Sequence, residues 1–124
     1  MVTTKSVGDG AEARALAFLE RQGLSLVARN YRLAGGPRVR GAEIDLVLRT
    51  PEGTLVFCEV RCRAPGAPVP AAATVDGRKR RRLVRAARHF LLRCHPVPPC
   101  RFDVVAIDGE ALRWLPAAFD AGEG

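Results

Sequence analysis

The sequence has no long apolar run: none approaches the roughly 18 consecutive apolar residues that a membrane-spanning helix requires. The N-terminal segment MVTTKSVGDGAEARA also lacks the charged and then apolar pattern of a secretory signal peptide. These absences exclude a helical membrane protein and favour a cytoplasmic one. The length, 124 residues, is typical of a single domain.

Lysine is scarce. Only Lys5 and Lys79 are lysines, so arginine supplies 18 of the 20 basic residues and most of the net charge of +7. Arginine presents a planar set of donors that suits phosphate groups, which is compatible with a nucleic-acid partner. An excess of arginine over lysine also accompanies Ala-, Gly- and Pro-rich compositions, so composition alone leaves the partner open.

The four cysteines are too irregularly spaced for a common zinc site. Three residues separate Cys58 from Cys62 and five separate Cys94 from Cys100, with two histidines nearby, which fits the usual ligand spacing only in part. On a strand, Cys58 and Cys62 would lie on one face, as small buried apolar residues do. We therefore expect reduced cysteines, with zinc as the alternative.

The first expected helix covers residues 11–22, with Asp9 as a possible N-cap and Gly23 as the stop. At helical periodicity Glu12 falls within the apolar arc and is expected to point toward the core. The alternative is a first-turn carboxylate that interacts only with the helix dipole. A short β-like segment, residues 24–32, follows.

Two strands, 42–49 and 55–63, are predicted around a Pro/Gly hairpin turn. If the turn centres on Glu52, antiparallel pairing places Val47 opposite Phe57 and Asp45 opposite Glu59. Two facing carboxylates repel each other unless a cation or a shared proton relieves them. Mg²⁺ would do so and would also bind substrate phosphate. The alternative is a solvated hairpin face with ordinary ion pairs.

A Pro- and Ala-rich connection, residues 64–77, precedes a second expected helix, residues 78–94, which has no acidic residue. On this helix Lys79 is expected to point inward. A basic face without acids for pairing indicates an anionic partner, and we expect nucleic acid, with a membrane surface or a plain solvated face as the alternatives. The arginines expected to bind it are Arg78, Arg81, Arg82, Arg85 and Arg88.

The last predicted elements are strands at 101–107 and 112–115. Trp114 is expected to anchor the final strand rather than to stack on a base. Residues 117–124 are expected to fray, which leaves a core of about 8–116 in one domain.

The combination of motifs resembles one known family. The segments are GDGAEARALAFLERQG, RGAEIDLV, VFCEVRCR, the AAATV approach to Lys79, and CRFDVVAIDG. They are similar to the YraN family of small, predicted endonucleases, within the restriction-endonuclease-like or PD-(D/E)xK superfamily. The resemblance covers about residues 8–120 and implies an α/β fold with a central mixed sheet flanked by helices.

The resemblance also implies site residues. The catalytic set carried over by position is Asp45, Glu59, Arg61, Glu12 and Lys79, and the implied ligands of Mg²⁺ or Mn²⁺ are Asp45, Glu59 and the Val60 carbonyl. Arginine stands at the position of the superfamily lysine, where it can stabilise charge but cannot act as a general base.

The implied activity is hydrolysis of phosphodiester bonds in nucleic acid, with DNA favoured and no membrane partner. The alternative is a non-catalytic nucleic-acid-binding module of a DNA repair or uptake complex. The oligomeric state is left open, with a homodimer as one alternative.

Overall fold

The structure, a computed structural model, describes residues 4–123. Within them are two α-helices, five strands and two short 3-10 turns. In chain order they are α1 (Thr4–Arg21), β1 (Ser25–Leu33), β2 (Ala42–Arg49), β3 (Leu55–Arg63), a 3-10 turn (Ala71–Thr74), α2 (Gly77–Leu91), β4 (Cys100–Asp108), β5 (Ala111–Phe119) and a second 3-10 turn (Ala121–Glu123).

The five strands form one mixed sheet in the order β1-β2-β3-β4-β5. All neighbours are antiparallel except β3 and β4, which are parallel and are connected through α2. Helix α1 packs on one face of the sheet and α2 on the other, each over its own apolar cluster. The predicted α/β class is confirmed, and the arrangement is consistent with a restriction-endonuclease-like core.

Helix α1 begins at Thr4, earlier than expected, so Asp9 lies inside the helix and is not its N-cap. Gly8 and Gly10 lie within this helix, where a glycine costs only about 1 kcal/mol relative to alanine. The predicted stop is confirmed: Gly23 has a φ of 97°, and the Leu24 N–H donates to the Leu19 carbonyl at 3.2 Å. This 6→1 bond is the closing contact of a Schellman motif.

The central hairpin has the predicted bounds and register. Val47 pairs with Phe57, and the pairing extends from Arg49↔Leu55 at the turn to Leu46↔Cys58. Beyond Leu46, β2 remains paired with β1, and β3 remains paired with β4. The two strands therefore separate past this point, although simple extension of the ladder predicts further pairs.

Helix α2 begins at Gly77, where the Asp76 side chain accepts a hydrogen bond from the Lys79 N–H at 3.0 Å. It ends at Leu91, three residues before the predicted end, because the following N–H groups form i→i+3 bonds and tighten the chain. The preceding Pro- and Ala-rich connection contains the Ala71–Thr74 turn.

Strand β5 reaches Phe119, so the expectation that fraying begins at residue 117 is wrong for residues 117–119. Phe119 is buried and stacks on Phe102 with ring centroids 4.9 Å apart. Asp103 accepts a hydrogen bond from the Ala117 N–H at 2.9 Å, which holds the irregular end of β5 against β4. Gly124 lies outside the described residues.

Trp114 anchors β5, as predicted: its indole N–H donates to the Asp103 carboxylate at 2.9 Å, and its ring makes an edge contact with Phe18. Asp103 is fully buried and also binds Arg101 through two hydrogen bonds of 3.0 and 3.2 Å. This buried acid therefore fixes the pairing of the last two strands.

All four cysteines are free. Cys58 is buried as expected, but Cys62 is exposed, because it lies near the end of β3 beyond the apolar cluster. Among the described residues, neither cysteine nor histidine contributes to a group of possible metal ligands. Neither helix contains an apolar stretch that could cross a bilayer, within the part of the chain that the structure describes.

Candidate metal and phosphodiester site

The candidate site lies where β2 and β3 separate. Past the last paired residues, the Val60 N–H donates to the Asp45 carboxylate at 2.8 Å. A side chain thus replaces the backbone acceptor that a continued ladder would provide. Asp45 consequently lies between Glu12 and Glu43 on the α1 side of the sheet and Glu59 on the α2 side.

Glu59 is the buried member of the site, on the α2 side of β3. Its side chain is 2% exposed, and its Oε2 atom accepts from Lys79 Nζ at 3.2 Å and from Arg61 Nη1 at 3.4 Å. Its Oε1 atom is buried without a hydrogen-bond partner. A buried polar atom without a partner costs free energy and calls for an explanation such as a bound ion.

Asp45 and Glu59 are in contact through their side chains, as their expected convergence required. Burial, followed by the charge of Asp45, raises the pKa of Glu59 to about 8, although Lys79 opposes the shift. Burial also raises the pKa of Asp45, against hydrogen bonds from Glu59 and the Val60 N–H. Without a bound metal ion, Asp45 and Glu59 therefore share a proton over much of the neutral pH range.

A second group of carboxylates joins Asp45 from the α1 side. Glu12, Glu43 and Asp45 each offer an oxygen, and these oxygens lie within 4.8 Å of one another. Burial, followed by the charges of Asp45 and Glu43, raises the pKa of Glu12 to about 7. Glu12 is half-exposed and lies beside Glu43 and Asp45, so it does not point into the core as expected, and it interacts with more than the helix dipole.

Glu43 and Asn30 are site residues that the sequence reasoning missed. With its amide nitrogen turned toward the acids, Asn30 donates to Glu12 and to Glu43 at 3.0 Å each. Arg32 donates to the other oxygen of Glu43 at 3.0 Å. Asn30 has a φ of 50°, which departs from extended geometry. Near this point the apolar side chains of β1 and β2 change from one face of the sheet to the other.

Arg61 is held in place by the 3-10 turn before α2. Its Nε atom donates to Thr74 Oγ1 at 2.7 Å, and that hydroxyl donates to the Ala71 carbonyl at 2.6 Å. The turn itself is fixed to the sheet, since the Ala71 N–H donates to Asp108 Oδ1 at 2.9 Å. The AAATV segment therefore positions the arginine, a role that its small side chains did not reveal.

The solvated-face alternative for the hairpin is wrong in its main feature. Glu59 does pair with Arg61, but the carboxylate is almost fully buried and Asp45 is half-buried. A surface ion pair would leave both partners in water.

The predicted nucleic-acid-binding arginines of α2 do not all line the same depression. Arg82 lines a cleft together with Lys79 and Glu43, beside the carboxylates. Arg81, Arg85 and Arg88 line a separate depression next to Val84. Arg78 is exposed and lines neither of them. Only part of the predicted basic surface therefore adjoins the site.

The model of the uncharacterised protein family UPF0102 matches residues 11–107, most of the chain. The chain belongs to the UPF0102 family.

Members of the UPF0102 family resemble the chain over nearly its whole length. A UPF0102 protein of Methylibium petroleiphilum is 69% identical over 121 residues, which are 98% of this chain and 99% of the relative. Relatives from Paracidovorax citrulli and Cupriavidus taiwanensis are 57% and 56% identical, covering 97% and 92% of this chain and 87% and 82% of their own lengths. The matched UPF0102 segment contains every residue of the carboxylate site, from Glu12 to Lys79.

Proposed function

We propose that this UPF0102 protein is a metal-dependent nuclease that hydrolyses phosphodiester bonds of nucleic acid, with DNA as the favoured substrate. The observation that carries the proposal is the buried Glu59 carboxylate, whose Oε1 atom has no partner although it lies beside Asp45. Burying such a group lowers the stability of the folded protein, and proteins commonly retain groups of this kind in active sites.

The residues present fit a divalent cation. Glu12, Glu43 and Asp45 supply carboxylate oxygens within 4.8 Å of one another, and Glu59 adds a buried oxygen without a partner. An all-oxygen donor set suits Mg²⁺ or Mn²⁺ and does not suit softer metals. We propose Asp45 and Glu59 as principal ligands, with the Val60 carbonyl and Glu12 completing the set.

When bound, a Mg²⁺ or Mn²⁺ ion would polarise a phosphate oxygen and make a water molecule more acidic. Lys79 and Arg61 lie beside Glu59 and carry the positive charges that stabilise negative charge developing on the phosphate. Arg61 occupies the strand position at which the superfamily has lysine. Lys79, from α2, supplies an ammonium group to the site. Glu12, on the opposite side of Asp45, is placed to orient the attacking water or accept its proton.

The proposal is tested by nuclease assay of the purified protein on plasmid, single-stranded, flapped and junction DNA with Mg²⁺ or Mn²⁺. Asp45→Ala and Glu59→Ala are expected to abolish cleavage. Glu52→Ala is the matched control, because Glu52 is an exposed acid at the turn of the same hairpin. Cleavage that persists in both site variants would sink the assignment.

A non-catalytic nucleic-acid-binding module is the second candidate. It is favoured by the two cations that already contact Glu59 Oε2, since they offset part of its charge without any metal ion. Nucleic-acid binding with a steep salt dependence, together with no cleavage under any metal condition, would select this alternative.

A further inference from the structure

Two clefts on the surface meet at the carboxylates. The first, the β1–α2 cleft, has a volume of about 570 Å³ and lies between the segment that joins β1 to β2 and the start of α2. The second, the α1–β3 cleft, has a volume of about 330 Å³ and is lined by Glu12 and the end of β3. A depression lined by both Glu12 and Glu43 connects them, since Glu43 also lines the first cleft. The three depressions adjoin one another through these shared residues beside Glu12 and Glu43, and we refer to them together as the groove.

Charge is distributed unevenly along this groove. The acids that line it, Asp9, Glu12 and Glu43, all border the central depression. Arg29 and Arg32 also border that depression, so acids outnumber cations there by only one. At the ends cations outnumber acids: Arg32, Arg40, Lys79 and Arg82 line the β1–α2 cleft with Glu43, and Arg61 and Arg63 line the α1–β3 cleft with Glu12. This order suits a polyanion that approaches acids only where a divalent cation neutralises them.

The walls of the groove are held by specific contacts. The Arg85 guanidinium donates to the Arg40 carbonyl and thereby ties the β1–β2 connection to α2. Within that connection a Cβ on Gly35 would lie 2.6 Å from the Gly41 nitrogen, so the backbone closes tightly on itself there. At the other end, Arg61 is fixed by Thr74. The cations therefore project from a built framework.

The residues lining the two clefts include no aromatic side chain within the described part of the chain. Proteins that hold single-stranded bases usually provide aromatic rings for stacking. A groove with arginine and lysine at both ends and no aromatic ring in its two clefts favours contacts to phosphates, which position a nucleic acid without reading its sequence.

We propose that this groove binds the sugar–phosphate backbone of one nucleic-acid strand on both sides of the phosphate that lies at the carboxylates. Arg40 and Arg82 bind phosphates at one end, and Arg63 binds them at the other. Arg81 and Arg88, which line the separate depression next to Val84, lie outside this path. The proposal rests on the nuclease function only in identifying the central phosphate as the one that is cleaved.

The test measures DNA binding without catalysis. Fluorescence anisotropy of labelled single-stranded and duplex DNA is recorded with Ca²⁺ present, as a function of salt, for the whole chain, and gels verify that the DNA stays intact during the measurement. The groove variants are Arg40→Ala, Arg82→Ala and Arg63→Ala. The control variants, Arg81→Ala and Arg88→Ala, remove the same charge from the separate depression next to Val84. Thermal unfolding of each variant verifies that it is folded.

Each groove variant is expected to weaken binding about threefold to tenfold and to lower the slope of log K against log salt by about one. The Arg81 and Arg88 variants are expected to change binding by less than about twofold. Equal losses in both sets, unchanged binding by the groove variants, or no binding by the wild-type protein would overturn the proposal. Binding lost in the groove variants, with no cleavage by the wild type, would sustain the groove and refute the nuclease.

Discussion

Replacing Glu59 by glutamine should stabilise the metal-free protein, and increasingly so as the pH rises. Glutamine keeps the shape and a hydrogen-bonding oxygen but carries no charge. In the wild-type protein, burial and the neighbouring Asp45 raise the pKa of Glu59 from 4.5 to about 8. A neutral side chain at this position, which is 2% exposed, removes the cost of burying an ionised carboxylate.

The sign follows from the direction of the shift. Because the pKa of Glu59 is higher in the folded protein, folding favours the protonated form, and the wild type loses stability as the pH rises from 4.5 to about 8. Glu59→Gln removes that loss. Its stability relative to wild type should therefore increase by up to about 4 kcal/mol between about pH 5 and about pH 8.5. The comparison between two pH values cancels the pH-independent effects of the substitution.

Urea unfolding in EDTA at the two pH values measures this difference. Glu52→Gln, on the exposed turn of the same hairpin, provides the control and should follow the wild type at both. If wild type and Glu59→Gln lose the same free energy of unfolding between the two values, Glu59 does not carry the buried, proton-holding carboxyl that the site requires.

Three further predictions concern the site and its support. Mn²⁺ in millimolar excess should raise the melting temperature of the wild type but not of Asp45→Asn, and equal shifts in both would place the metal elsewhere. Thr74→Val should lower kcat about tenfold with little change in melting temperature, because it removes the acceptor that holds Arg61; unchanged kcat would deny Thr74 a positioning role. Asp103→Ala should cost about 3–5 kcal/mol in urea unfolding, since it leaves the buried partners of Asp103, including the Trp114 N–H, unsatisfied; a loss below about 1 kcal/mol would show that this network does not fix β5.

The hairpin and its acids could be predicted because they depend on local rules. The alternation of apolar and polar residues predicted the two strands that carry Asp45 and Glu59. The turn between these strands predicted their register, which the pairing of Val47 with Phe57 confirms. The helical period also placed Lys79 on the inward side of α2, where it reaches Glu59.

What could not be predicted depends on departures from regular geometry. The strands part after Leu46, so Asp45 meets Glu59 by leaving the ladder and binding the Val60 N–H. The positive φ of Asn30 lies beside the change of face that brings Glu43 to the site. Neither event changes the alternation of residue types along the sequence.

Other residues were missed because their partners are distant in the chain. Thr74 reads as part of a loop until the fold places it against Arg61. Asp103 left a usable signal, since it is a single acid within the apolar run of β4, and a buried acid requires several partners. The arginines of α2 share one sequence segment, and only the packed structure separates Arg82 from Arg88.

The central claim is that Asp45 belongs to a metal-dependent phosphodiester site. The most direct measurement is the initial rate of DNA cleavage in Mn²⁺ by the wild type, by Asp45→Asn and by Asp120→Asn, whose carboxylate is exposed and bonds only locally to the Gly122 N–H among the described contacts. We expect cleavage by the wild type and the Asp120 variant, and a loss of at least about a hundredfold in the Asp45 variant. Equal rates in all three proteins would contradict the claim.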